Sequence, residues 1–245
     1  MSKEKEKEIG TLYIVATPIG NLEDITIRAI NTLKKVDLIA AEDTRHTLKL
    51  LNYLEISKPL ISYHRHNENI KTELLIENLK KGKNIALVSD AGTPGICDPG
   101  EEAIKQCIEE NINVVSIPGP CAMVNALICS GLDTKEFVFL GFLPLNKKNR
   151  KEKLEEIFNE TRTSILYEAP HKITNTLKDL KEVIQNRKIV LARELTKIHE
   201  EYIREDIDKL IGISKDLKGE MVLIIEGGEV KKENIEYLKW KLNLK

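Results

Sequence analysis

Short apolar runs, each closed by a charged or glycine- and proline-containing stretch, alternate along the chain with segments of helical apolar spacing. Residues 11–16, 36–40, 60–63, 84–88 and 113–117 are the first five runs. Their length and lack of polar alternation suit strands buried on both faces of a parallel sheet. Between them, Ile27, Ile30 and Leu33 share one face of a predicted helix with Asp24 as its cap. A second predicted helix runs to Tyr53, and a third carries Leu74, Leu75, Ile76 and Leu79. In a fourth, residues 101–110, Ala103, Ile104, Cys107 and Ile108 have helical spacing. Asp98 suits its cap and Pro99 its first helical position. Such βα alternation predicts a parallel sheet with helices on both faces.

The rhythm changes after Pro118-Gly119-Pro120, a rigid join. A small-residue helix over 121–129 precedes a strand at 136–140 and a helix rich in Lys and Glu. Strands at 164–167, 188–192 and 220–225 follow, with a helix over 173–184 and an edge strand at 200–204. This run predicts a mixed sheet in a second α/β domain. The expected division is an N-terminal domain, 1–118, a C-terminal domain, 119–229, and a helical tail, 230–245. Tyr237, Leu238 and Leu242 line one side of that tail.

With 245 residues the chain is long enough to bury a sizeable core. No apolar run approaches the ~20 residues that span a bilayer, and residues 1–8 alternate charge like a frayed tail. A cytoplasmic protein without membrane contact is expected. Cys97, Cys107, Cys121 and Cys129 form no CxxC pair and adjoin apolar segments, which reads as buried free thiols and no metal site. A net charge of −1 excludes a globally basic nucleic-acid binder but leaves room for a local basic patch.

Candidate chemistry gathers where predicted strands end, the place at which open α/β sheets bind ligands. After the fourth strand comes Ser89-Asp90-Ala91-Gly92-Thr93-Pro94-Gly95-Ile96-Cys97-Asp98-Pro99-Gly100. Its glycines and prolines let backbone N–H groups approach a ligand, and Asp90 can accept from ligand hydroxyls or an amine. The loop after the first strand, with Pro18, Ile19 and Gly20, lacks GxGxxG and is at most one wall of a pocket. Glu42-Asp43-Thr44-Arg45 offers either a helix cap or, through Arg45, a phosphate contact. His64 and His66 lack a third partner for metal and suit substrate contact instead. Two later strand ends, Tyr167-Glu168-Ala169-Pro170-His171-Lys172 and Arg193-Glu194-Leu195-Thr196-Lys197, are densely charged, and Arg193 could simply pair with Glu194. The basic run with Lys147, Lys148, Arg150 and Lys151 is either a solvated helix face or a grip on a nucleic-acid backbone.

The segments LYIVATPIGNLEDIT, AAEDTRHT, SDAGTPGICDPG, IPGPCA, YEAPHK and ARELTKIHEE, in this order across residues 11–227, resemble the bacterial 16S rRNA small-subunit methyltransferase I family. That family belongs to the tetrapyrrole methylase superfamily, the class III methyltransferases. The resemblance implies two α/β domains with S-adenosylmethionine folded into the cleft between them, and a homodimer. It implies 2′-O-methylation of a cytidine ribose in 16S rRNA or the small (30S) ribosomal subunit. By position it assigns cofactor contacts to Ile19, Asp90, Thr93, Cys121, Ala122, Tyr167 and the segment from Gly219 to Met221, and Pro18, Gly20, Ala91 and Gly92 of the same two loops are expected to join them. Cys121 stands where the family usually has serine. A proton must leave the ribose hydroxyl during such a transfer, so a base or an activating cation is expected. The candidates are Glu168, His171, Glu194 and Lys197, with Arg193 for a phosphate. Alternatives are a superfamily enzyme acting on a tetrapyrrole carbon or on the modified histidine of elongation factor 2, and a non-catalytic RNA or nucleotide binder.

Overall fold

The computed structural model describes residues 8–184 and 186–229. The predicted tail helix over 234–244 and most of the charged N-terminus lie outside them. The chain divides into two compact units, Met1–Cys121 and Ala122–Lys245.

In the first unit, strands β1 (Leu12–Val15), β2 (Leu38–Ala41), β3 (Leu60–Ser62), β4 (Ile85–Val88) and β5 (Val114–Ile117) form one sheet. Its order is β3-β2-β4-β1-β5 and every pairing is parallel. The strands are apolar on both faces because helices cover both. Val15, Ile39, Ala41, Ala86, Val88 and Ile117 pack with Ala29 and Leu33 of α1 (Ile27–Lys35) and Leu50 and Leu51 of α2 (Thr44–Tyr53). The alternate positions, Leu12, Ile14, Ala40, Ile85 and Leu87, pack with α3 (Glu68–Lys80) and α4 (Glu101–Glu109). A parallel sheet brings all its carboxyl ends to one edge, so five loops share that edge.

Two predicted caps move. Asp24 lies in a 3₁₀ turn, Leu22–Asp24, and α1 is capped by Thr26, whose side chain accepts from the Ala29 N–H. The buried face of α1 runs through Ala29 and Leu33, while Ile27 stands 78% exposed. Helix α4 begins at Glu101 after Gly100, not after an Asp98 cap. Gly100 has φ +141°, and a Cβ there would sit 2.9 Å from the Leu87 side chain. Only glycine fits this return of the loop over β4.

The second unit holds β6 (Phe137–Phe142), β7 (Thr163–Glu168), β8 (Ile189–Arg193), β9 (Glu201–Ile203) and β10 (Met221–Ile225) in the order β6-β7-β10-β8-β9. Only β6 and β7 pair in parallel, so the sheet is mixed. Helices α5 (Ala122–Ile128), α6 (Lys147–Asn159), α7 (Ile173–Ile184) and α8 (Ile207–Ile213) complete the unit. Leu177, Leu180 and Ile184 of α7 and Leu210 of α8 pack on Leu166, Leu191 and Leu223 of the sheet. Of the four thiols, Cys107 is buried and its pKa is pushed up to about 11 by that burial. Contrary to the expectation of buried cysteines, Cys129 is exposed and Cys97 and Cys121 are half-buried.

Candidate functional site

At the carboxyl edge of the parallel sheet the loops after β1, β4 and β5 are tied together. Thr17 and Gly92 exchange backbone hydrogen bonds of 2.8 and 3.0 Å, and the Thr17 hydroxyl donates to the Ser89 carbonyl at 3.2 Å. Thr93 Oγ1 donates to the Pro120 carbonyl at 3.2 Å. Gly92 has φ +81°, and Ile19 Cγ2 lies 3.4 Å from the position its Cβ would take. Pro18, Ile19 and Gly20 therefore adjoin Ala91, Gly92 and Thr93, as a pocket wall requires. Cys121 follows Pro120 with a half-buried thiol.

Asp90 joins this edge to the neighbouring strand end. Its Oδ1 accepts the Asp43 N–H at 3.0 Å, while its own N–H donates to Glu42 Oε2 at 3.3 Å. Oδ2 has no hydrogen-bond partner among the described residues. Asp43 is the cap of α2 and also grips Arg45, with 2.7 Å from Arg45 Nη2 to Asp43 Oδ2. The Arg45 hydrogen bond holds the Asp43 carboxyl well below the usual carboxylate range, and Asp43 in turn raises the guanidinium. Of the two readings of this segment the helix cap is realised at Asp43, while Arg45 stands 88% exposed on the same strand end. His64 and His66 have ring centroids 6.0 Å apart. Among the described residues no cluster of His, Cys, Asp and Glu has the makings of a metal site.

In the mixed sheet the register does the gathering. Met221 pairs with Glu168 on one side and Arg193 on the other, so the ends of β7 and β8 flank the start of β10. Tyr167 stacks edge-on against Phe139 and Phe142, and its hydroxyl accepts the Met123 N–H at 3.1 Å, beside Ala122. Glu168 is only 4% exposed, and its carboxylate turns into the unit to accept from the Ala169 N–H and the Thr176 hydroxyl. As a base presented to substrate, Glu168 is therefore corrected: its oxygens are spent internally.

Arg193 and Glu194 do not pair with each other. Arg193 Nε donates to Glu201 Oε2 at 2.7 Å, whereas Glu194 Oε1 accepts from Lys197 Nζ at 2.9 Å. Lys197 also reaches Glu220 Oε2 at 3.1 Å. Its hydrogen bond lowers the Glu194 pKa; burial alone would lower Lys197, but the two carboxylates outweigh it and raise the ammonium. This locked pair leaves neither partner as an obvious proton acceptor. His171, by contrast, is exposed in the turn after β7 and has no partner among the described residues.

Gly219 closes against this pair. It has φ +88°, and a Cβ would fall 2.1 Å from Glu194 Oε1. Gly219→Ala should therefore displace Glu194 and lower the melting temperature by roughly 2–8 °C, the effect of ~1–2 kcal/mol of left-handed backbone strain in a chain of this size. An unshifted thermal unfolding curve would show that the segment relaxes freely.

The basic run forms the start of α6, capped by Asn146, whose Oδ1 accepts the Lys148 N–H at 2.9 Å. Lys147 and Lys148 point to solvent, and Lys151 lies 3.8 Å from Glu155. Arg150 departs from the expectation of a phosphate contact. It is 18% exposed and turns inward to Asp179 Oδ2 at 2.7 Å and Thr176 Oγ1 at 2.9 Å. Sequence reasoning missed Thr176; a threonine within a helix carries no signal of its own partner.

A parallel α/β unit with a Gly/Pro loop at its carboxyl edge, followed by a mixed-sheet unit, is the architecture of one methylase class. Residues 11–211 match the family of Tetrapyrrole (Corrin/Porphyrin) Methylases, and the chain belongs to it. Within that family it groups with ribosomal RNA small subunit methyltransferase I. It is 50% identical over 234 residues to the protein of that name from Halalkalibacterium halodurans, covering 95% of this chain and 81% of the relative. It is 53% identical over 222 residues to the one from Synechocystis sp., covering 89% and 80%. The fold is shared with uroporphyrin-III C-methyl transferase from Thermus thermophilus, solved in complex with S-adenyl homocysteine. That likeness has a TM-score of 0.64 at 14% identity, over 89% of this chain and 97% of the other.

Proposed function

We propose that the chain transfers a methyl group from S-adenosylmethionine to the ribose 2′-oxygen of a cytidine in the 16S rRNA of the small ribosomal subunit. The observation that carries this reading is about one-half identity, over nearly the whole chain, to relatives named for that RNA. A cytoplasmic homodimer is part of the same reading. The residues present fit the cofactor. Asp90 keeps one acceptor oxygen in a loop of glycines and prolines, suited to ribose hydroxyls or an amine, and the Ile19 side chain packs beside Gly92 as an apolar surface next to it. Tyr167, Cys121, Ala122, Met221 and the backbone at Gly219 complete the proposed contacts.

Bound S-adenosylmethionine supplies an electrophilic methyl carbon on a sulfonium. The chain's own task is to align the acceptor hydroxyl and receive its proton. His171 is the candidate for that proton, because Glu168, Arg193, Glu194 and Lys197, the other sequence candidates on its sheet edge, are already paired. Neither Glu194 nor Lys197 is needed in the step; their ion pair fixes the loop after β8.

Lys147, Lys148 and Lys151 are proposed to meet the RNA backbone. Replacing all three with Gln should flatten the log–log salt dependence of subunit binding by about 2–3, since each phosphate contact contributes ~0.7–0.9. Cofactor affinity should stay unchanged. Equal salt sensitivity would make the run a solvated helix face.

The reading is tested by incubating purified protein with methyl-labelled S-adenosylmethionine and either small subunits lacking the modification or uroporphyrinogen. Label in the RNA is expected. Label only in the tetrapyrrole would place the chain with the superfamily enzymes that act on small molecules.

A further inference from the structure

We propose that Arg150 and Thr176 are positioning residues that act through Glu168 to fix the turn carrying His171. The inference rests on the reading of His171 as the proton acceptor. Its basis is an unbroken chain of hydrogen bonds running from the start of α6 to the end of β7, all within the second unit.

Arg150 Nη2 donates to Thr176 Oγ1 at 2.9 Å, and its Nε is anchored on Asp179 at 2.7 Å. Thr176, 1% exposed, donates its hydroxyl to Glu168 Oε2. A threonine hydroxyl has a single proton. With a lone pair occupied by the guanidinium, that proton is directed onto the carboxylate. Glu168 Oε1 then accepts the Ala169 N–H at 2.8 Å. A buried carboxylate is tolerated only when paired and hydrogen-bonded, and here one hydroxyl couples it to the Arg150 charge.

The far end of the turn is gripped by the same threonine. Lys172 N–H donates to the Ala169 carbonyl at 2.9 Å, closing a four-residue turn with Pro170 and His171 at its centre. The Thr176 N–H donates to the Lys172 carbonyl at 3.1 Å. Thr176 thus holds Lys172 through its backbone and Ala169 through Glu168. His171 lies between two fixed points, and Pro170 restricts the torsion before it. The basic run accordingly divides its work, with Arg150 serving the interior while its neighbours face solvent.

The test compares Thr176→Val, nearly the same shape without the hydroxyl, with Thr176→Ser, which restores it. Methyl transfer to small subunits is measured together with hydrogen–deuterium exchange of the Ala169, His171 and Lys172 amides. Thr176→Val should lower kcat at least ~10-fold with the cofactor KM within about twofold, as a displaced catalytic group does. Exchange over 169–172 should accelerate in that variant, and Thr176→Ser should return both readouts toward wild type. If Thr176→Val does not accumulate folded, Arg150→Met cuts the chain at its outer end and should give the same pair of changes. Unchanged kcat overturns the proposal, and so does a lost kcat with unchanged exchange over the turn. If the wild-type protein transfers no methyl group to subunits, the proposed function fails. The exchange comparison then still decides whether the hydrogen-bond chain holds the turn.

Discussion

Asp90→Asn should weaken S-adenosylmethionine binding by about 10- to 150-fold, the equivalent of one hydrogen bond to a charged group at ~1.5–3 kcal/mol. Asparagine is the informative replacement because it separates the two jobs of this side chain. Its Oδ1 can still accept the Asp43 N–H that ties β4's loop to the cap of α2. Only Oδ2, the oxygen left to a ligand, is converted from an acceptor to a donor. The fold should therefore survive, with the thermal midpoint nearly unmoved. Alanine would confuse the result, since it also orphans the Asp43 N–H. Calorimetric titration showing wild-type affinity in Asp90→Asn would remove this carboxylate from the cofactor site.

His171→Ala should lower kcat by roughly 10²–10⁴-fold, the usual contribution of a positioned general base. Cofactor affinity should remain within a few-fold, because a group acting on the proton in flight does not contribute to ground-state binding. Added imidazole should recover part of the rate by occupying the space of the missing ring. Undiminished turnover would reject His171, and the proton would then have to leave by solvent or by substrate itself.

The strands were legible because a parallel sheet covered on both faces demands uninterrupted apolar runs, and LYIV, LIAA and IALV supply them. The mixed sheet was readable too, including the edge strand at Glu201–Ile203. Caps were read less well. Asp24 and Asp98 are good cap residues, but Thr26 and Gly100 won, because the backbone leaving a 3₁₀ turn and a tight return over Leu87 decided where each helix could begin. The α8 helix was missed: seven residues with one fully buried leucine leave little periodicity to see.

For the candidate site, sequence placed charged residues at strand ends but could not say which way each one turned. Glu168 and His171 stand three positions apart in the same motif, yet one is buried in a hydrogen-bond chain and the other is exposed. Arg193 and Glu194 are adjacent, yet β8 ends at Arg193 and the chain turns at Glu194 with φ +50°, so they reach Glu201 and Lys197 respectively. Lys147 and Arg150 share a helix, but only Arg150 has Asp179 and Thr176 within reach. Except for Glu194 and Lys197, three positions apart, these partners lie 8 to 29 positions away, and local pattern carries no trace of them.

The most direct test of the central claim is the identity of the methylated nucleoside. Small subunits from a strain lacking this enzyme would be incubated with the purified chain and S-adenosylmethionine, and their 16S rRNA digested to nucleosides for mass spectrometry. Ribose methylation at cytidine predicts the appearance of 2′-O-methylcytidine, with the added mass on the sugar fragment. A methyl group on the base fragment, or no gain in any nucleoside, would contradict it.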